Sequence, residues 1–363
     1  MTIQFDKHRD FLVRQAEPFN GGPPLSLLRA DFVTPNALFF VRNHAAVPEV
    51  DAADYRLEID GAVRKPLRLS LAELHRRFPR RELTATLQCA GNRRLELMAV
   101  APIPGELPWG SEAVSTAHWA GVRLADVLAA AQPQPSAKHV AFTALDECER
   151  HGHRFGFGGS IPLAKALAPE VLLADEMNGE ALPPTHGAPL RAVVPGYIGA
   201  RSVKWLERIT LQERPSSNYF QAKAYRLFPP HVTAQNVNWD QGLMLGELPV
   251  NAILCHPNPD DTLASGTVHA RGVAMAGGGR RVERVDLSSD GGRAWTPAEL
   301  DADDGPWTWR FFHGAVEVSR GKREIVARAW DSAAQTQPEH PAQVWNFKGY
   351  MNNAWARVRV LAR

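Results

Sequence analysis

TATLQCAGNRR, residues 84–94, joins a β-branched, apolar approach to a polar, basic exit with a single cysteine, Cys89, at the join. Thr84, Thr86 and Leu87 favour an extended strand, and Gly91-Asn92 tolerate a sharp reversal, so the spacing predicts a strand that ends at Cys89. Arg93 and Arg94 follow within the same turn, and fixed positive charge favours thiolate, the form that binds metals. Free cysteine is also among the most buried residue types, and inert packing is the competing reading of this position.

Outward from that stretch, the 363-residue chain is long enough for two domains. Its 44% hydrophobic and 22% charged residues are those of a folded protein. With 41 basic and 39 acidic side chains the net charge is +2, so no bulk field recruits nucleic acid or a membrane surface, and any anion site must be local. The three cysteines, Cys89, Cys148 and Cys255, are odd in number and widely spaced, which argues against a disulfide framework, a zinc ribbon and a CxxC redox pair. The first twenty residues have scattered charges and no apolar run of signal-peptide length, and no stretch is long enough to insert into a membrane. A cytoplasmic location is expected, or a periplasmic one where a leader has been removed.

In the first half, NALFFVRNH contains a short apolar run, Leu38–Val41, that reads as a strand leaving into a polar cluster of Arg42, Asn43 and His44. YRLEIDGAV alternates as a strand, and SLAELHRRFP reads as a helix with Ser70 and Glu73 as a capping box. PPTHGAPLRAVVPGYIGARSVKWLERI gathers His186, Arg191, Arg201, Ser202, Val203 and Lys204 around a buried strand at Val193-Val194, with Val203–Ile209 a second strand or a short helix. On a charge-balanced chain this suggests a dedicated anion pocket, although any one of these cations alone reads as a surface salt bridge. His151 and His153 near Cys148 lack a second ligand pair at zinc spacing and are not read as a metal site. Past Pro249 the pattern changes to short strands and turns: GTVHARGVAM, RRVERVDLSSDGGRAW, PWTWRFFHGAVEV, REIVARAWDSAA and WARVRVLA. This predicts an all-β sandwich with Trp307, Trp309, Phe311 and Trp330 as core first and interface second. The boundary is placed at residues 226/227, beside Pro229-Pro230.

TLQCAGNRR, FFVRNH and GARSVKW, in that setting, resemble motifs of the sulfite oxidase family of molybdenum enzymes, and the resemblance runs over nearly the whole chain. It implies an α+β molybdopterin domain over residues 1–226 and an immunoglobulin-like dimerisation domain over 227–363. It implies a molybdenum-molybdopterin cofactor, with Cys89 as metal ligand and Phe40, Val41, Arg42, Asn43, His44, Asp146, His186, Arg191, Arg201, Ser202, Val203 and Lys204 around the pterin. Arg42, Trp109, Tyr225 and Lys348 would meet the substrate, sulfite or a similar small oxyanion. The activity implied is oxygen-atom transfer to sulfite, with electrons leaving to oxygen or to an external carrier such as a cytochrome c, and with a homodimer formed through the second domain. Where sulfite-oxidising relatives have arginine this chain has Lys348, which keeps the charge and loses the bidentate fork, so another oxo transfer, on sulfoxide or nitrate, stays open. Two rivals from other classes are a metal-independent cysteine hydrolase built on Cys89, His186 and Asp146, and a non-catalytic binding protein.

Overall fold

The structure is a computed structural model and describes residues 5–363; residues 1–4, the start of the N-terminal stretch read above, lie outside it. Two sheets build the first half. One runs Gly158–Pro162, His139–Ala144, Leu206–Gln212, Leu57–Gly61, Leu67–Leu69, antiparallel except for the parallel pair of Leu206–Gln212 with Leu57–Gly61. The other runs Glu180–Ala181, Leu172–Met177, Val114–Arg123, Arg80–Gln88, and Arg191–Val193 joins Leu172–Met177 from the side. The Leu71–Arg77 helix carries the expected capping box: Ser70 accepts from the Glu73 backbone while the Glu73 side chain accepts from that of Ser70. Leu124, Val127, Leu128 and Ala131, one face of the Leu124–Ala131 helix, are fully buried against these sheets.

The second half is a four-stranded and a five-stranded sheet face to face. Gly266–Met275 and Arg310–Val318 form the centre of one, and Val282–Ser288, Gly321–Asp331 and Ala356–Ala362 the centre of the other. Alternation along Gly321–Asp331 puts Ile325, Ala327 and Ala329 in the sandwich core, with Arg328 and Trp330 on the outer face. Trp330 is therefore not a core residue; Arg284 and Arg328 stack over its ring at 4.8 and 4.6 Å. The 226/227 position falls inside a two-stranded ribbon, Arg226–Leu227 with Leu243–Met244, so the chain there is paired structure.

The two halves share a core. Ile253, Val273, Met275, Trp309 and Phe311 pack in one cluster with Ile198, Val203 and Tyr225. The Arg80–Gln88 strand is fastened across this junction: the Thr86 N–H donates to the Trp307 carbonyl at 2.9 Å, and Thr86 Oγ1 accepts from the Trp309 N–H at 2.7 Å. The second half thus grips the strand three residues before Cys89. Leu38–Val41 is not a strand. Leu38 and Phe39 donate back to the Pro35 carbonyl in a turn, and Val41 makes one isolated bridge to Gly21. Pro35 sets that turn, which outweighs the β-propensity of the aromatic pair.

Candidate active site

Cys89 stands one residue past the end of the Arg80–Gln88 strand. That strand pairs with Val114–Arg123 along its whole length, and the Cys89 N–H continues the ladder to the Ala113 carbonyl at 2.9 Å. The chain then reverses, with the Asn92 N–H donating to the Cys89 carbonyl and Asn92 Oδ1 accepting from Ala113. Cys89 Sγ accepts from the Gly91 N–H at 3.4 Å and lines a cavity to which Leu87, Phe40, Phe157, Ala144 and Trp205 give apolar wall.

Twelve of the sixteen residues singled out in the sequence line that cavity: Phe40, Arg42, Asn43, His44, Cys89, Asp146, His186, Arg191, Ser202, Val203, Lys204 and Tyr225. The other four do not. Val41 turns into a small cluster with Phe11 and Phe19. Arg201 is directed at the Leu245 carbonyl, which accepts from its Nε and Nη2 at 3.1 and 2.8 Å. Trp109 is fully buried in the apolar cluster behind Cys89 and Phe40. Lys348 is ion-paired with Glu106.

Of the cations lining the cavity Arg191 is buried and Arg42 and Lys204 are half-buried, and among the described residues none has an ion-pair partner. Arg191 donates only to backbone carbonyls, of His186 at 2.8 Å, Ser202 at 3.0 Å and Ala192 at 3.3 Å. Lys204 donates to Asn43 Oδ1 and to the Thr185 carbonyl. Burial pushes Arg191 down to about 9 and Lys204 well below the usual lysine range, the latter with help from Arg191, Arg42 and Lys7 and against Asp146. Burial also pushes His44 and His186 well below the usual histidine range, with neighbouring cations adding to it, so these two rings are neutral. Asp146 is the single acidic side chain lining the cavity among the described residues, and burial raises its pKa while the Phe157 N–H, donating at 2.7 Å, opposes the rise. Asn43 Nδ2 and Gln88 Oε1 are buried without partners. Excess buried positive charge with unused polar groups is costly unless an anion enters. A phosphate-bearing pterin fits this donor set: cations for its anionic end, Asp146 to accept from ring N–H groups, and Cys89 for a soft metal.

Several neighbours were not legible as site residues. Lys7 Nζ lies 2.9 Å from His186 Nε2 and donates to the carbonyls of Asn36 at 2.7 Å and Phe39 at 3.1 Å. It comes from the scattered charges of the N-terminal stretch, where nothing in the pattern marks it. Arg94 is 3% exposed in its side chain and slots between glycines: an added Cβ at Gly91 would sit 2.4 Å from Arg94 Nη2, and one at Gly349 2.7 Å from its Cγ. Its partner on the sequence, Arg93, turns the other way and is taken up wholly by Glu96 and the second half of the chain. Arg93 therefore does not face the thiol. Tyr225 donates or accepts at His44 Nε2 at 2.9 Å and stacks on Tyr350 at 5.2 Å.

Lys7 gives a prediction. Burial lowers it from 10.5 to about 7, so between those values the unfolded chain holds the extra proton and stability rises with pH. Relative to Lys7→Met, wild-type cofactor-free protein should gain about 2 kcal/mol between pH 7 and pH 9. Denaturant melts at the two pH values check it; parallel curves for the two proteins would refute it.

The chain is similar to known proteins over most of its length. Residues 44–220 match the oxidoreductase molybdopterin binding domain and residues 243–363 the Mo-co oxidoreductase dimerisation domain. The chain is 45% identical over 365 residues to mitochondrial sulfite oxidase of Homo sapiens, covering 98% of this chain and 66% of that protein, just under two thirds of its length. It is 44% identical to sulfite oxidase of Gallus gallus, over 97% of this chain and 78% of that protein. To sulfite oxidase of Arabidopsis thaliana it is 40% identical, over 97% of this chain and 94% of that one. Among solved structures, the sulfane dehydrogenase SoxCD of Paracoccus pantotrophus superposes with a TM-score of 0.81 at 27% identity, covering 95% of this chain and 85% of that one. With both domains matched in order and relatives at 40% identity or more over nearly its full length, the chain belongs to the sulfite oxidase family of molybdopterin oxidoreductases.

Proposed function

We propose that this protein oxidises sulfite to sulfate with a molybdenum-molybdopterin cofactor, passing two electrons to oxygen or to an external carrier such as a cytochrome c. The observation that carries the reading is the meeting around one cavity of Cys89, Arg42 and Tyr225 with cations that have no ion-pair partner among the described residues. Cys89 would ligate the metal; Arg191, Lys204, His186, Ser202, Val203 and Asn43 would hold the pterin and its phosphate, and Asp146 its ring N–H groups. When bound, the group supplies the oxygen atom that sulfite takes up and accepts the two electrons released. In balance, sulfite and water become sulfate, two protons and two electrons.

The chain's own residues attract, orient and enclose the anion. Arg42 lines the cavity and is held by Asn20 Oδ1, at 3.4 Å, and by the Asn43 carbonyl, so its charge is fixed in place. Preorganised positive charge of this kind stabilises an oxyanion without reorganising as charge shifts. Tyr225 is kept protonated, first by burial, and its phenol is oriented by His44, itself packed between Phe157 and Phe220. It is thus a neutral phenol at the cavity wall over the whole working range of pH.

Cofactor-loaded protein should reduce an artificial one-electron acceptor only when sulfite is added. Loaded protein that contains molybdenum and leaves sulfite untouched would end this reading. We also propose pairing through the second domain, on the strength of its match to the dimerisation family. Sedimentation at micromolar concentration should give twice the 40.0 kDa chain mass, and a monomer would remove the proposal.

A further inference from the structure

Lys348 does not reach into the cavity. Its ammonium is paired with the Glu106 carboxylate, whose other oxygen lies 3.6 Å from Arg94 Nη2. All three side chains are largely enclosed, at 19%, 15% and 3% exposure, so water screens them weakly. Both cations sit over one ring: Arg94 is 5.1 Å and Lys348 5.9 Å from the centre of Tyr350. Tyr350 stacks on Tyr225, which lines the cavity beside Cys89. Arg94 is fixed there by the Gly349 carbonyl at 3.0 Å and the Leu107 carbonyl at 2.8 Å, and it packs on Gly91, two residues from Cys89. Among the described residues Glu106 is the carboxylate that faces both of these cations, behind the Tyr350–Tyr225 stack.

We propose that Glu106 is a specificity-determining positioning residue: its carboxylate occupies Lys348 and offsets Arg94, setting how tightly the site holds an anion. The proposal rests on the oxyanion-substrate reading above. Its physical content is competition. An entering dianion and Glu106 seek the same two cations, so the carboxylate weakens the ground-state complex and eases departure of the more highly oxygenated product. Glu106 touches neither substrate nor cofactor; it acts through Lys348 and Arg94.

The test uses cofactor-loaded protein and sulfate as the probe anion, titrated calorimetrically at low and high salt, with steady-state sulfite kinetics alongside. Glu106→Gln keeps the shape and removes the charge. Sulfate Kd and sulfite KM should both fall roughly tenfold at low salt, the gain shrinking as salt rises, while kcat stays level or falls through slower product release. A purely structural Glu106 would not tighten anion binding at all. Lys348→Met should loosen sulfate about tenfold, and in its background the Glu106→Gln gain should shrink, because one of the two cations that Glu106 occupies is gone. Unchanged sulfate Kd in Glu106→Gln with a wild-type melting temperature overturns the proposal. If that variant melts early, Lys348→Met decides, an unchanged Kd again being the contrary result. Should the wild type fail to oxidise sulfite, the functional reading falls alone, and the sulfate titrations still decide the role of Glu106.

Discussion

Cys89→Ser is expected to lower sulfite turnover by at least about a thousandfold while the protein stays folded and keeps much of its pterin. A serine hydroxyl is a harder donor and far less acidic than a cysteine thiol, so it is a poor substitute for a thiolate ligand. The fold should survive because the side chain is nearly isosteric and its one polar contact, from the Gly91 N–H, is kept by an oxygen. Pterin should remain because its proposed holders, Arg191, Lys204 and His186, stand on the Pro183–Trp205 stretch and not on the cysteine loop. Turnover, pterin content and circular dichroism together read this out. Turnover near the wild-type rate would remove Cys89 from the chemistry.

The second large effect is on stability. Arg93→Met should cost about 3–5 kcal/mol, because the buried guanidinium is the donor for several acceptors at once, of which Ala354 and Glu96 keep one other donor each, from Gln337 and Asn352. It donates to Asn251 Oδ1 and the Ala354 carbonyl at 2.7 Å each, to the Trp355 carbonyl at 3.1 Å, and to both Glu96 oxygens at 2.8 Å. Its backbone also sits at φ 63°, a left-handed conformation unfavourable for a side chain of this size, which the network holds in place. Arg93 therefore ties the turn after Cys89 to the second domain, next to the Met351 N–H that donates to the Ala90 carbonyl at 2.8 Å. Calorimetry should show the transition lowered by several degrees, with activity falling in step as the Cys89 turn loosens. A transition within a degree of wild type would contradict this account of the junction.

What the sequence disclosed was local. The strand ending at Cys89, the Ser70 capping box and the alternating strands of the second domain all follow from neighbouring residues, and the Cys89 and Arg191–Lys204 segments carried enough chemistry to mark one site. The hidden parts depend on residues far apart. Lys348 and Glu106 are 242 positions apart, so no spacing shows that the lysine is already occupied. Arg93 and Arg94 look equivalent as a pair. The left-handed turn at the first sends one into the domain junction and leaves the second between two glycines, over the Tyr350 ring. Lys7 reaches His186 across 179 positions from a stretch with no pattern of its own. Leu38–Val41 has the residue types of a strand, but the turn that Pro35 imposes outweighs them.

X-ray absorption at the molybdenum edge tests ligation by Cys89 most directly. Loaded wild-type protein should show one more sulfur neighbour at the metal than loaded Cys89→Ser, with pterin content matched between the two. An equal sulfur count in both proteins would contradict the assignment of Cys89 as the protein's ligand to molybdenum.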